Sequence, residues 1–311
     1  MIETKPQSDT GHSTPVKSKD IVIPILAWVG MLIISSLPDI LSQYLIGQVP
    51  PWIDQVKLAG SVLFLGIVLA WKRIRPLWQY ALVLLVFFLT YVVKQWIGQT
   101  SWWQDRFSGE DVSFFVGFLG IFILDFMIAA AVIAVLWVMK KRRQEFFLTR
   151  GQLDAPIRPV RWLGIREGES WRTFGWIFAV IASLLVAIPT LLVMRPTLET
   201  ILLALPLLPV ALLFAAINAF NEEIYFRASL LSTLPEIIGR SQAMLITITL
   251  FGLAHYLYGS PPGVVGFLMT GFLAFLLGKS MLETRGLTWP WFIHFLPDAV
   301  VFFSYAVVFV Q

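Results

Sequence analysis

"ILLALPLLPVALLFAAINAFNEEIYFRASLL", residues Ile201–Leu231, decides how the chain is read. From Ile201 onward it is an apolar run of membrane-crossing length, because about 20 apolar residues carry a helix across the hydrocarbon core. Inside that run stand Glu222, Glu223 and Arg227, in the stretch NEEIYFR (Asn221–Arg227). An ionisable side chain in a membrane helix costs about 2.5–3.5 kcal/mol on insertion scales, so such groups face a bundle interior or a cavity. On an α-helix Glu223 and Arg227 are i,i+4 neighbours, with the glutamate in the favoured N-terminal place. Pairing them removes much of the charge penalty. Glu222 then points about 100° away and has no local partner. One glutamate reads as structural and the other as available.

The rest of the chain has the same solvent preference. Of 311 residues, 58% are hydrophobic and 14% charged, and the mean hydropathy is +0.78. Soluble domains run at about 45–50% apolar and about 25% charged. This composition cannot be hidden in one water-soluble core of this size, so the expected fold class is all-α: a polytopic membrane helical bundle. Cysteine is absent, which excludes disulfides, thiolate metal ligands and a cysteine nucleophile. The net charge of +4 gathers in short loops and reports topology rather than nucleic-acid binding. Basic runs such as KKRRQ (Lys140–Gln144) are too short and too close to the membrane for a nucleic-acid surface. Membrane lipid is the expected neighbour.

The division that follows has four parts: a polar, disordered tail at 1–20, a four-span membrane region at 21–139, a basic interfacial loop at 140–172 and a membrane core at 173–311. The apolar segment after the tail is longer than a signal-peptide core and lacks a small-residue cleavage site, so it reads as a retained span. About nine spans are expected, near 21–45, 57–72, 77–97, 113–139, 173–194, 200–233, 241–258, 263–281 and 288–310. Lys17 and Lys19, Lys72–Arg75, Lys140–Arg143, Arg240, and Lys279 with Arg285 all fall on one side if the N-terminus is cytoplasmic. The 140–172 loop mixes Arg and Trp with Phe and Leu, as an interfacial segment does. It reads as a linker resting on anionic lipid or, alternatively, as a substrate-docking lip.

Histidine narrows the search for chemistry. His12 lies in the tail, whereas His255 (FGLAHYLYG) and His294 (WPWFIHFLPDA) fall in predicted spans. Phe251 shares a helix face with His255, and His294 shares one with Asp298, each pair at i,i+4. Pro297 removes the hydrogen bond to the Ile293 carbonyl, which predicts a kink. Counting from the turn near Pro235–Ser241, Glu222 and His255 each stand roughly 20 Å from it, so an antiparallel pair would bring them to similar depth. His294 falls nearer the cytoplasmic end by the same count, a mismatch that only a tilted or deeply starting last helix would remove.

A carboxylate and an imidazole at one depth can activate a water for attack on a carbonyl. A second imidazole beside a polar group can stabilise the oxyanion. Together they describe peptide hydrolysis without a covalent intermediate. Two histidines and a carboxylate could instead hold a metal, usually zinc, although no H-E-x-x-H motif occurs. Ser241 and Ser280 sit at predicted loop edges and read as ordinary loop serines. Asp125 has no facing aspartate in a Gly-x-Gly-Asp setting and reads as helix–helix glue. The bland account of the whole set is interhelical hydrogen bonding.

The three motifs Glu222-Glu223-x-x-x-Arg227, Phe251-x-x-x-His255 and His294-x-x-x-Asp298 resemble, in order, EExxxR, FxxxH and HxxxN/D of the CAAX prenyl endopeptidase and bacteriocin-processing family, also called CPBP or Abi. The resemblance covers residues 209–304. It implies an intramembrane glutamate endopeptidase acting on a membrane-associated protein or peptide, with no cofactor or bound metal. Glu222 with His255 would activate the water. His294 and Asp298 would form the oxyanion site, and Glu223, Arg227 and Phe251 would support it. Eukaryotic-type members favour Asn at the last position. An ionised Asp298 would repel an oxyanion, so it would be protonated or would orient His294 instead. The loop LTRGQLDAPIRPVRWLGI and the segment ETRGLTWPWFIHFLPD resemble prokaryotic members, which implies an integral protein of a prokaryotic plasma membrane. The alternative is a non-catalytic immunity, scaffold or transport protein that uses the polar cluster structurally.

Overall fold

The computed structural model describes residues 21–109, 111–259 and 261–311. The tail expected at 1–20, with His12, Lys17 and Lys19, lies outside the described residues. Among the described residues the chain is helical and has no strand beyond two isolated bridges.

The first half contains α1 (Val22–Ile34), α2 (Leu37–Ile46), α3 (Ile53–Ala70), α4 (Trp78–Gly98), α5 (Ser101–Phe107) and α6 (Phe114–Val138). After the loop come α7 (Trp171–Met194), α8 (Leu198–Ala204) and α9 (Leu208–Glu222), a π-helical turn at Glu223–Ala228, and the short α10 (Ser229–Leu231) and α11 (Pro235–Ile238). The chain ends with α12 (Arg240–Ala254), α13 (Gly263–Thr284) and α14 (Thr288–Phe309). Helix starts follow local chemistry: the Ser113 and Thr197 hydroxyls accept the orphan N–H groups of Val116 and Thr200.

Seven helices are long and apolar enough to cross a membrane, or eight if α1 and α2, bent by 61° at Ser35–Ser36, count as one span. The expected nine spans are therefore not all of crossing length. The span expected at 241–258 is α12, whose 15 residues fall short. The over-long sixth span corresponds to Leu198–Ile238, 41 residues interrupted by the π turn. α14 continues helically through Pro297.

The two halves of the chain are joined by the apolar interior. A single apolar cluster joins Ala27, Phe64, Tyr80 and Leu136 of the first half to Ile224, Leu250 and Phe251 of the second. Close packing of this kind leaves the first four long helices as a wall of the later bundle rather than a detached unit. α14 packs on α7 and α9, and α12 packs on α13.

The 140–172 loop is folded over one end of this bundle. Lys141 Nζ donates to the Ser232 carbonyl at 2.9 Å, Leu287 N to Thr149 O at 2.9 Å and Gln152 N to Thr284 O at 2.8 Å. The tripeptides Thr149–Gly151 and Thr284–Gly286 meet backbone to backbone. A Cβ on Gly286 would lie 2.4 Å from the Gly151 Cα, and Gly151 also has a positive φ of 72°, so glycine is required on both sides. Trp289 Nε1 donates to Leu153 O at 2.9 Å. The start of α14 is thus covered by the loop.

Candidate active site

The site begins at the π turn. Glu223 through Ala228 are all buried, and a π turn widens the backbone by one residue relative to an α-helix, a distortion often found at functional sites. Within it Glu223 and Arg227 still pair: Arg227 Nη1 donates to Glu223 Oε1 at 2.6 Å, with both side chains fully buried. The same Glu223 oxygen lies 2.8 Å from His294 Nδ1. A carboxylate oxygen accepts, so Nδ1 carries the proton and Nε2 faces away from Glu223. Glu223 is therefore the hinge between the arginine one turn along its own helix and the histidine of α14.

Phe251 closes the other side. The Arg227 guanidinium stacks 4.1 Å over its ring, which compensates a buried cation that has one ion-pair partner among the described residues. The edge of the His294 ring meets Phe251 at 5.8 Å between centroids, and the His255 ring lies at 4.4 Å. His255 Nδ1 is 2.9 Å from the Phe251 carbonyl oxygen, which can only accept, so Nδ1 donates and Nε2 is left as the free nitrogen.

Glu222 differs from Glu223 as the helix geometry requires. It is partly exposed, and its Oε2 has no hydrogen-bond partner among the described residues; the nearest ring nitrogen, His294 Nε2, stands 3.5 Å away. Glu222 and His255 line one cavity of about 660 Å3 without a direct hydrogen bond between them. Asp298 lies 3.8 Å from His294 Nε2, too far for a hydrogen bond. Asn218 Nδ2 donates to Asp298 Oδ2 at 2.9 Å instead. Sequence reasoning missed Asn218, although it is a polar residue in an apolar run, four positions before Glu222 on the same helix face. Trp291 Nε1, donating to Ala216 O at 2.9 Å, fixes α14 against α9 at this level.

The first half of the chain reaches the cavity too. Lys94 pairs with Asp125 across α4 and α6, and Lys57 holds Asp39 at 2.7 Å; all four residues line the cavity with Glu222. Asp125 does bridge two helices, as the sequence predicts for glue. Ser280 is buried and donates to the Leu277 carbonyl within its own helix, and Ser241 lies in the first turn of α12, so neither serine meets a histidine in this site. Among the described residues no three His, Asp or Glu side chains converge at metal-ligand spacing.

All three motifs, from Glu222 to Asp298, lie in the stretch that the family comparison matches. Residues 204–300 match the type II CAAX prenyl endopeptidase Rce1-like family. The Rce1-like stretch covers α9, the π turn, α12, α13 and the first half of α14, the elements that carry the polar cluster. It leaves α1 to α7 and the 140–172 loop outside. No curated protein and no solved structure matches the chain. With the candidate spans, the Rce1-like match supports an integral membrane protein and, at the level of the family, a CAAX-type intramembrane protease.

Proposed function

We propose that the protein is an endopeptidase that hydrolyses a peptide bond of a membrane-associated protein or peptide, using a water activated by Glu222 and His255. The observation that carries this reading is the division of labour between adjacent glutamates. Glu223 is wholly buried and its Oε1 is occupied by Arg227 and His294, whereas Glu222 is partly exposed, makes no hydrogen bond among the described residues and lines a cavity with His255.

In this mechanism the Glu222 carboxylate takes a proton from the water while His255 Nε2 accepts from its second hydrogen and fixes its orientation. The hydroxide oxygen attacks the scissile carbonyl carbon, and the carbonyl π electrons become an oxyanion. His294, as imidazolium, donates Nδ1–H to Glu223 and Nε2–H to that oxyanion, where charge develops. Glu222 then returns its proton to the amide nitrogen, and the C–N bond breaks to give a carboxylic acid and an amine. Asp298 is a positioning residue: held by Asn218, it places a negative charge beside His294 Nε2 without contacting the oxyanion. Glu223, Arg227 and Phe251 hold the imidazole in line. Substrate and water would meet in the cavity walled by α3, α4, α6, α9 and α12.

The test is a comparison of membrane proteomes from cells carrying wild type and Glu222→Gln. An uncleaved precursor should accumulate in the variant. If Glu222→Gln leaves every membrane protein processed and retains biological function, the cluster is structural and the protein belongs to the non-catalytic alternative.

A further inference from the structure

A second cavity, of about 910 Å3, lies at the opposite end of α12 from His255, where the folded 140–172 loop meets the starts and ends of two helices. Its polar rim carries Arg158 of the loop, Arg240 at the first position of α12 and Arg285 just beyond α13. All three are exposed, and none of their guanidinium groups has an ion pair or hydrogen bond among the described residues. The other charges at the cavity are Lys279, already paired with Glu283 at 2.5 Å, and Glu167. Four cations against two carboxylates leave it with two net positive charges.

Below this rim the lining changes character. Leu245, Ile248 and Phe275 line the deeper wall. Ile248 is eight residues along α12 from Arg240, about 12 Å, and Phe275 is ten residues before Arg285, about 15 Å. Leu245 and Phe272 are exposed on the outer surface of the bundle, at 46% and 38%. Trp162 of the loop, 69% exposed, packs against Phe272 and Phe275, as an aromatic anchor at a membrane–water boundary does.

We infer that this cavity binds an anionic membrane phospholipid, with the phosphate headgroup at Arg158, Arg240 and Arg285 and one acyl chain along Leu245, Ile248 and Phe275. The charge sign selects an anion, the apolar wall selects an amphiphile over free phosphate, and the opening toward the lipid-facing surface admits the chain from the bilayer. Basic pockets at the ends of membrane helices recognise anionic headgroups in this way. The inference does not depend on the hydrolytic reading, because its test measures lipid retention and not cleavage.

The test uses the full chain in nanodiscs of phosphatidylcholine with and without phosphatidylglycerol, read by native mass spectrometry and thermal unfolding. Phosphatidylglycerol should be retained and should raise the melting temperature. High salt should weaken both effects. Each of Arg158→Gln, Arg240→Gln and Arg285→Gln should lower affinity about fivefold, the equivalent of about 1 kcal/mol apiece. Leu245→Trp, which fills the chain path and leaves every charge, should reduce retention as well. An undiminished phosphatidylglycerol effect in the triple arginine variant and in Leu245→Trp would overturn the assignment. So would an equal shift from inorganic phosphate or from a soluble acidic peptide.

Discussion

His294 Nδ1 stands 2.8 Å from Glu223 Oε1, the oxygen that also receives Arg227, and 71 residues of chain separate the two partners. One buried carboxylate therefore serves two cations or donors, one local and one delivered by α14. The oxyanion candidate and the electrostatic support of the site are a single unit, and this coupling sets what each substitution should do.

Glu222→Gln should leave the fold intact and remove cleavage. Its side chain is partly exposed and makes no hydrogen bond among the described residues, only a 3.5 Å approach to His294 Nε2, so stability should stay within about 1 kcal/mol of wild type. Loss of a general base lowers rate by about 10²–10⁴-fold. Thermal unfolding together with precursor accumulation in membranes checks both halves, and cleavage at the wild-type rate would remove Glu222 from the mechanism.

Arg227→Ala should be a stability variant. It leaves Glu223, in a site with no solvent access, with His294 but without its arginine, and breaking a buried pair from one side costs about 3–5 kcal/mol. The same change uncovers the Phe251 face on which the guanidinium rests. Detergent-resistant unfolding should shift strongly downward in Arg227→Ala and much less in the double variant Glu223→Gln/Arg227→Met, which removes both charges together.

Asn218→Ala tests the neighbour of Asp298. It deletes one hydrogen bond to a carboxylate, worth about 1.5–3 kcal/mol. If Asp298 only packs, stability should fall and the pH profile of cleavage should keep its shape. If Asp298 positions charge at His294, the profile should shift while Asn218→Asp, which restores no amide donor, fails to rescue it.

Lys94→Met asks what the first half of the chain contributes. Asp125 would be left unpaired beside the cavity that contains Glu222, so both stability and cleavage should drop. Lys94→Met/Asp125→Leu should recover stability, since neighbouring partners are not additive. Recovery of cleavage in the double variant would assign the pair to structure alone; continued loss would assign it to the cavity.

Sequence and structure divide along the range of the interactions. Membrane residence, the helical class, the internal Glu223–Arg227 pair and the isolation of Glu222 follow from composition and helical spacing. They involve residues within one turn, where geometry is fixed locally. The α4–α6 role of Asp125 was legible as a polar residue deep in an apolar helix, but its partner was not.

What only the tertiary structure decided spans long stretches of chain. The partner of His294 is Glu223 rather than its own i,i+4 neighbour Asp298, and Asp298 is taken by Asn218, 80 residues away. The π turn at Glu223–Ala228 was not legible in the sequence, where helical spacing predicts an unbroken α-helix. Residue counting places His294 nearer the cytoplasmic end than Glu222, yet packing brings it into contact with Glu223. The sequence by itself determined which charges must hide from lipid. Packing decided which of them meet, because burial in a shared cavity lets residues far apart in the chain settle one another's charge.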